Sequence, residues 1–157
     1  MCCDTIPCMN FSTITKDLFI GTTPSVEDYN ALRDLGVRLV INMRVEHWPR
    51  RDMHPDPLQF LWLPTFDSPL IPISIKYLHR GAKAALEAIN NGGKIYAHCA
   101  GGVHRGVTMG AAILIAQGYE AESAMRLIKS QRVFADTYAF YIRSRIVKFA
   151  SQWDGNG

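Results

Sequence analysis

The chain has 157 residues, a single-domain length that is sufficient to bury a hydrophobic core without disulfide bonds. Its residues are 48% hydrophobic and 20% charged, which excludes a disordered chain, and the net charge of +3 is too small and too dispersed to indicate nucleic-acid binding. The longest apolar run, Val107 to Ala116, is too short to span a bilayer, and Met1 to Phe11 lacks the apolar centre of a secretory signal. We therefore expect a cytoplasmic monomer with no membrane and no nucleic-acid partner.

The cysteine content fits a reducing compartment, because four cysteines are too few for a disulfide framework. Cys2, Cys3 and Cys8 lie in a stretch, residues 1–10, that we predict to be a flexible tail ahead of a single domain over residues 11–157. A resolving role for one of these thiols would require the tail to fold over Cys99, and the sequence leaves that role open.

The N-terminal half of the chain predicts strands alternating with helices. Four short runs have strand character: Phe11 to Thr15, Leu18 to Gly21, Val37 to Met43 and Phe60 to Leu63. The third run is almost entirely apolar, as expected for a strand buried on both faces of a mostly parallel sheet. Between the second and third runs, a helix is indicated by residues at helical spacing: Val26, Tyr29, Leu32 and Leu35.

The C-terminal half predicts one further strand and four helices. A helix that Ser74 caps and Gly92-Gly93 ends leads into a strand, Lys94 to His98. The next helix, Val107 to Gln117, is apolar nearly all round and should be central, and Glu120 to Lys129 follows it. A final helix has an inner stripe of Tyr138, Ile142, Ile146, Phe149 and Trp153. This order predicts an α/β sandwich with a central, mostly parallel sheet flanked by helices.

The most informative segment, His98-Cys99-Ala100-Gly101-Gly102-Val103-His104-Arg105, joins this last strand to the apolar helix. Its glycines allow backbone N–H groups to turn inward, and the helix N-terminus adds unpaired donors and a positive dipole end. The same field favours thiolate at Cys99, which makes that side chain a nucleophile, while the planar fork of Arg105 matches two phosphate oxygens. We predict that the phosphate is bound by Ala100, Gly101, Gly102, Val103, His104 and Arg105.

This segment carries a family resemblance. Cys99, five intervening residues and Arg105 reproduce the Cys-x5-Arg signature of the cysteine-based protein tyrosine phosphatases, in the longer form His-Cys-x-x-Gly-x-x-Arg. From about Ile14 to Trp153, the chain resembles the small atypical dual-specificity phosphatases. The resemblance implies a hydrolase that works through a phosphocysteine intermediate and that uses His98 to hold the thiolate and the loop. We expect no metal and no cofactor, because Arg105 and the loop amides already supply the compensating charge.

A general acid must protonate the leaving oxygen, and Asp67 is our candidate. It lies in a loop that leaves the Phe60 to Leu63 strand, and the acid of the resembled family occupies such a loop upstream of the cysteine. Asp56 is the alternative, but it lies between two prolines before that strand. Asp136 follows the nucleophile and is expected to cap the final helix.

The chain departs from the family pattern directly after the arginine, where Ser or Thr is usual and this chain has Gly106. Thr108 lies where many members carry a threonine, and we assign it a supporting role. The missing hydroxyl predicts slow hydrolysis of the intermediate without loss of activity. Arg132 resembles an arginine common before the last helix in small members. The charged segment Arg44 to Pro57 is either a solvated loop or a substrate-recognition rim.

Several functions agree with these residues. The first is hydrolysis of phosphotyrosine, with phosphoserine and phosphothreonine as further substrates, because the chain lacks the length to build a deep pocket. The second keeps the chemistry but takes a phosphorylated sugar, inositol or nucleotide, although a loop without lysine argues against a highly charged lipid headgroup. The third is a phosphate-binding module without turnover, suggested by Gly106 alone. A sulfur-transfer enzyme also uses a loop cysteine, but Asp67 and Arg105 favour phosphate.

Overall fold

The computed structural model of the protein describes residues 9–154, so the tail cysteines Cys2, Cys3 and Cys8 lie outside the described residues. Met9 and Asn10 do not behave as part of a tail. Met9 is buried, and Asn10 exchanges hydrogen bonds with Thr22, its N–H donating to the Thr22 hydroxyl and its carbonyl accepting from the Thr22 N–H. The packed part of the chain therefore begins by Met9.

A single five-stranded sheet organises the fold. Its strands are β1 (Phe11–Thr15), β2 (Leu18–Gly21), β3 (Val37–Arg44), β4 (Gln59–Thr65) and β5 (Lys94–His98). They lie in the order β1-β2-β5-β3-β4; β1 and β2 are antiparallel, and the remaining neighbours are parallel. The predicted mostly parallel sheet is confirmed. Because β5 lies between β2 and β3, the loops that leave all three strands meet at one edge.

The helices follow the predicted order. They are α1 (Tyr29–Asp34), α2 (Ile75–Asn90), α3 (Arg105–Ala116), α4 (Ala121–Gln131) and α5 (Phe140–Gln152), with a 3-10 turn at Val26–Asp28 before α1. Helix α3 is buried along nearly its whole length, which confirms its central position. The inner stripe predicted for the last helix was wrong at Tyr138, which precedes α5 and is 45% exposed. Its hydroxyl donates to the carboxylate of Glu122 at the surface instead of entering the core.

The two faces of the sheet bury two apolar clusters. The larger cluster lies between the sheet and helices α2 to α5, and it includes Ile41, Met109 and Phe149. The smaller cluster lies on the opposite face, where Leu32 of α1 packs with Val40 of β3. Strand β3 thus contributes side chains to both clusters, which is why its sequence shows no polar alternation. Within residues 9–154, no helix has the length and apolar character needed to cross a membrane.

Candidate active site

The candidate site lies at the carboxyl edge of the sheet, where β5 ends and α3 begins. Cys99 directly follows β5 and is 3% exposed. Residues 100–104 form the loop, and Arg105 is the first residue of α3, two residues earlier than the sequence predicted. The loops after the neighbouring strands β2 and β3 bring Thr23 and Glu46 to the same edge.

The carbonyl oxygens of Cys99 and of loop residues 101–104 are bound by donors around the loop. The Thr23 hydroxyl donates to the Cys99 carbonyl at 3.1 Å, and the N–H of Asp136 donates to the Val103 carbonyl at 3.0 Å. Arg132 donates from Nη2 to the Gly101 carbonyl at 3.2 Å and from Nε to the Gly102 carbonyl at 2.8 Å. The His104 carbonyl accepts from both the N–H and the hydroxyl of Thr108, at 2.9 and 2.8 Å. These contacts fix the orientation of the peptide groups.

The N–H groups of the loop are left without acceptors. No backbone N–H of residues 100–105 donates a hydrogen bond to any residue between 9 and 154. With the carbonyl oxygens of residues 101–104 bound by other groups and the amides unpaired, the loop offers a set of donors beside Cys99. Successive inward N–H groups at a helix N-terminus form an anion-binding hollow.

Gly102 is required by this arrangement. Its φ of 64° lies in the left-handed region, and a Cβ there would lie 2.6 Å from Arg132 Nη2 and 2.9 Å from the Gly21 carbonyl oxygen. A side chain would therefore displace the arginine that holds two loop carbonyls. The close approach of β2, the loop and Arg132 depends on glycine at this position.

Arg105 is held rigidly, and its Nε is left without a partner among the described residues. Its Nη1 and Nη2 donate to the two carboxylate oxygens of Glu46, both at 2.9 Å, and Nη1 also donates to the Thr65 carbonyl at 2.9 Å. Its Nε is buried and has no partner within the described part of the chain. Burial opposes the charge, but the hydrogen bonds that Arg105 donates to Glu46, together with the charge of that carboxylate, raise the pKa of Arg105. The guanidinium is thus charged and oriented, with Nε–H available to an anion.

Glu46 is the main residue whose role the sequence did not reveal. It belongs to the charged segment Arg44 to Pro57, for which the sequence allowed either a solvated loop or a substrate-recognition rim. In the structure, the Glu46 carboxylate contacts Arg105. Hydrogen bonds from Arg105, and then from Arg44, lower its pKa to about 2, so the carboxylate stays ionised at any ordinary pH. The signal that could have found it is strand order, since β3 lies beside β5, but one sequence does not supply strand order.

Asp67 lies at the mouth of the site. It follows β4, and its carboxylate accepts from Tyr141 of α5 at 3.3 Å and lies 3.1 Å from His104 Nδ1. Its side chain is 39% exposed, so substrate and water both have access to it. His104 therefore connects the loop to the candidate acid.

The two alternative aspartates lie elsewhere. Asp56 is exposed, and its recorded contacts are local ones with His54. Asp136 accepts from the N–H groups of Tyr138 and Ala139 in the turn before α5. The predicted cap was wrong, because Ala139 is the N-cap residue of α5 and no side chain caps that helix. The other carboxylate oxygen of Asp136 lies 3.7 Å from His104 Nε2, so the same histidine lies between Asp67 and Asp136.

Two supporting residues lie beneath the loop. His98 is 3% exposed, and burial lowers its pKa to about 3, so its imidazole is neutral at working pH. Thr108 is fully buried, and its hydroxyl donates to the His104 carbonyl, so it stabilises the junction of loop and helix. Neither residue adds charge to the site.

Comparisons with known proteins agree with this geometry. The sequence model of the family described as dual specificity phosphatase, catalytic domain, matches residues 18–144. The chain belongs to the dual-specificity phosphatase family. The fold is similar to human DUSP28, with a TM-score of 0.79 and 22% identity over 90% of this chain and 93% of that one. It is also similar to PTPMT1 in complex with PI(5)P, with a TM-score of 0.78 and 25% identity over 90% and 94%. No curated protein sequence gives a significant match.

This phosphatase domain therefore brings the predicted residues together at one edge of its sheet. Cys99, the loop amides and Arg105 surround one hollow. Asp67 lies at the mouth of this hollow, where its carboxylate contacts His104. Arg132, which resembles an arginine common before the last helix in small members, supports the loop and is 1% exposed. Chemically, the arrangement offers a nucleophile, a set of anion donors and a carboxyl group able to carry a proton.

Proposed function

We propose that this protein is a metal-independent phosphatase that hydrolyses phosphomonoesters through a phosphocysteine intermediate on Cys99. The observation that carries the proposal is the division of polar groups in the loop. The carbonyl oxygens of residues 101–104 accept hydrogen bonds from residues beyond the loop. The amides of residues 100–105 and Arg105 Nε, by contrast, have no partner in the described part of the chain. Such an array beside a buried cysteine suits a tetrahedral dianion.

The reaction follows as two displacements on phosphorus. The Cys99 sulfur forms a bond to phosphorus as the bond to the leaving oxygen breaks, and Asp67 gives its proton to that oxygen. A water molecule then attacks the phosphocysteine, and Asp67 takes the water proton. The S–P bond breaks, inorganic phosphate leaves and the thiolate is restored. Arg105 and the loop amides hold the three equatorial oxygens in both steps.

Phosphotyrosine is the substrate that we favour, with phosphoserine and phosphothreonine also accepted. Asp67 is partly exposed and lies within hydrogen-bond distance of residues at the rim, so the mouth of the site is open to a side chain presented by another protein. The chain is also short for a domain that must build a deep pocket.

A non-protein phosphomonoester is the second candidate. The similarity to PTPMT1 bound to PI(5)P, at 25% identity, favours it. The loop of this chain contains no lysine, which weighs against a highly charged headgroup. The two candidates share the catalytic residues and differ only in what surrounds the phosphate.

A phosphate-binding module without turnover is the weakest candidate. Gly106, which stands where the family usually has a hydroxyl residue, is the feature that suggests it. The presence of Cys99, Arg105 and Asp67 in one site opposes it.

Phosphate release across a substrate panel tests the proposal. The panel contains phosphotyrosine and phosphoserine peptides, an inositol phosphate, a sugar phosphate and p-nitrophenyl phosphate, all assayed in excess chelator. We expect release from the aryl and phosphotyrosine substrates that disappears in Cys99→Ser and persists in the matched thiol control Cys8→Ser. Release that stops in chelator, or that survives Cys99→Ser, would contradict the mechanism. Preference for the sugar or inositol phosphate would select the second candidate.

A further inference from the structure

A second charged feature lies outside the catalytic loop, in a groove of about 880 Å³ between α2 and α5. Five cationic side chains line it: Lys76, Arg80, Lys83, Arg145 and Lys148. Among the described residues that line it, none is acidic. We refer to this feature as the basic groove.

The charges of the basic groove are not neutralised. None of its five cations forms a salt bridge with a carboxylate that the structure describes. The N-terminus of α2 opens at the same place, and its first turn contains no acidic residue, so the helix dipole adds to the positive potential. The whole chain has a net charge of only +3, so the other residues together carry a small negative charge. The positive charge is therefore concentrated here.

The basic groove begins close to the candidate acid. Tyr141, whose hydroxyl donates to Asp67, lies one turn before Arg145 on α5. Arg145 Nε donates to the carbonyl of Ile73 at 2.9 Å, which ties α5 to the end of the loop that carries Asp67. A chain with its phosphate over Cys99 can thus continue from the mouth of the site into the groove.

The spacing of the cations matches an extended acidic chain. Along α2, steps of four and three residues separate Lys76, Arg80 and Lys83, which corresponds to rises of about 6 and 4.5 Å. In an extended peptide, alternate side chains lie on one face about 6.6 Å apart. The step from Lys76 to Arg80 is close to that spacing, and the step to Lys83 is about 2 Å shorter, a difference that the long, exposed Lys83 side chain can take up.

We propose that the basic groove binds an acidic, extended segment that flanks the phosphorylated residue of a protein substrate, an inference that rests on the proposed phosphatase function. The five cations lie along two neighbouring helices in a wide, open groove, which suits the side chains of one extended acidic polypeptide. Single-stranded nucleic acid is favoured by free aromatic platforms. The one ring that lines the groove, His79, is packed against Phe149 and Trp153 at 4.9 and 5.5 Å.

Binding of paired phosphotyrosine peptides to Cys99→Ser tests the proposal without requiring turnover. The two peptides share a phosphorylated core, and one carries four glutamates in its flank where the other carries four glutamines; both flanks are tried. We expect the glutamate peptide to bind about tenfold more tightly at low ionic strength and the preference to vanish in about 0.5 M sodium chloride. The same preference should appear in KM, and not in kcat, of the wild-type protein.

The variant Lys83→Glu/Lys148→Glu should abolish the preference, because it reverses two exposed charges on opposite walls of the groove. The matched control is Lys16→Glu/Arg38→Glu, which makes the same charge change at exposed positions on the amino side of the sheet. Both variants should hydrolyse p-nitrophenyl phosphate at the wild-type rate.

Equal binding of the two peptides, or a preference that survives in the groove variant, would overturn the proposal. So would groove-dependent binding of phosphatidylserine vesicles or single-stranded DNA without binding of the glutamate peptide. If the wild-type protein hydrolyses p-nitrophenyl phosphate but neither peptide, a protein substrate is excluded, and if it hydrolyses none of the three the proposed function fails. In either case, binding of the two peptides to Cys99→Ser still decides whether the groove prefers the acidic flank.

Discussion

Gly106 stands where related phosphatases usually have a serine or threonine hydroxyl. Gly106 packs against the end of β5, where a Cβ would lie 3.2 Å from Cys99 N and from His98 Cα and C. The Thr108 hydroxyl is engaged by the His104 carbonyl and does not replace the hydroxyl that position 106 lacks. The Cys99 sulfur therefore lacks that hydrogen bond.

We expect Gly106→Ser to speed hydrolysis of the phosphocysteine, because a charge-assisted hydrogen bond to sulfur of about 1.5–3 kcal/mol stabilises the departing thiolate. Gly106→Ala is the control, since it introduces the same crowding without the hydroxyl. Single-turnover dephosphorylation should rank the serine variant above both wild type and alanine by about tenfold or more. A serine variant no faster than the alanine variant would show that the hydroxyl does not act on this step.

Glu46 is a second case at this scale. It keeps Arg105 oriented through two hydrogen bonds, and its pKa of about 2 leaves it ionised far below the working pH. The depressed pKa means that its stabilising contribution is present above pH 4.5 and is lost only as the pH falls towards about 2. The acidic limb of any activity profile should thus not come from this carboxylate.

At the scale of elements, the segment between β4 and α2 decides how Asp67 is presented. Its carboxylate is held by His104 from the catalytic loop and by Tyr141 from α5. The acid is thus oriented by groups on two different elements, and neither of them is part of its own loop.

We predict that Asp67→Asn lowers kcat/KM, which reports the step that releases the leaving group, about 100-fold or more for phenyl phosphate and much less for p-nitrophenyl phosphate, whose leaving group needs no proton. His104→Ala should give a smaller loss with the same dependence on the leaving group, because it displaces the acid without removing it. Tyr138→Phe is the matched control, since that hydroxyl bonds to Glu122 outside the site. Losses in His104→Ala that are equal for both esters would assign the histidine a structural role.

The elements also show what the sequence could and could not predict. All five strands and the central position of α3 follow from hydrophobic periodicity and glycine ends, which are local signals. Tyr138 was wrongly predicted to belong to the buried stripe of α5. It lies just before the helix begins, at the spacing that a residue of that stripe would have. The roles of Glu46 and Thr23 depend on β3 and β2 flanking β5, and that order is set by long-range packing.

At the scale of the whole molecule, charge is distributed less evenly than the composition indicates. In the sequence, the net charge of +3 is dispersed. In the structure, five cations from two helices that are far apart along the chain share one groove, with no acidic residue among the described lining residues. The sequence hides this because residues 76–83 and 145–148 meet only in the folded chain.

Stability should depend on pH through the buried His98. Burial lowers the pKa of His98 to about 3, whereas its pKa in the unfolded chain is 6.5. Lowering the pH below 6.5 therefore favours unfolding. We predict that the free energy of unfolding, from urea titrations, falls between about pH 6.5 and 5 with a contribution from His98 of up to about 1.4 kcal/mol per pH unit. His98→Asn should reduce that slope, and an unchanged slope would show that His98 is not its source.

The central claim is that Cys99 attacks phosphorus within a hollow of amides and Arg105. Rapid acid quenching of the reaction with p-nitrophenyl phosphate, followed by peptide mass spectrometry, tests it most directly. We expect a phosphoryl group on the peptide that contains Cys99, where it accumulates because Gly106 slows hydrolysis of the phosphocysteine. The Cys99→Ser variant should carry no phosphoryl group. A phosphoryl group on another residue, or steady turnover with no labelled cysteine in the wild-type protein and full activity in Cys99→Ser, would contradict it.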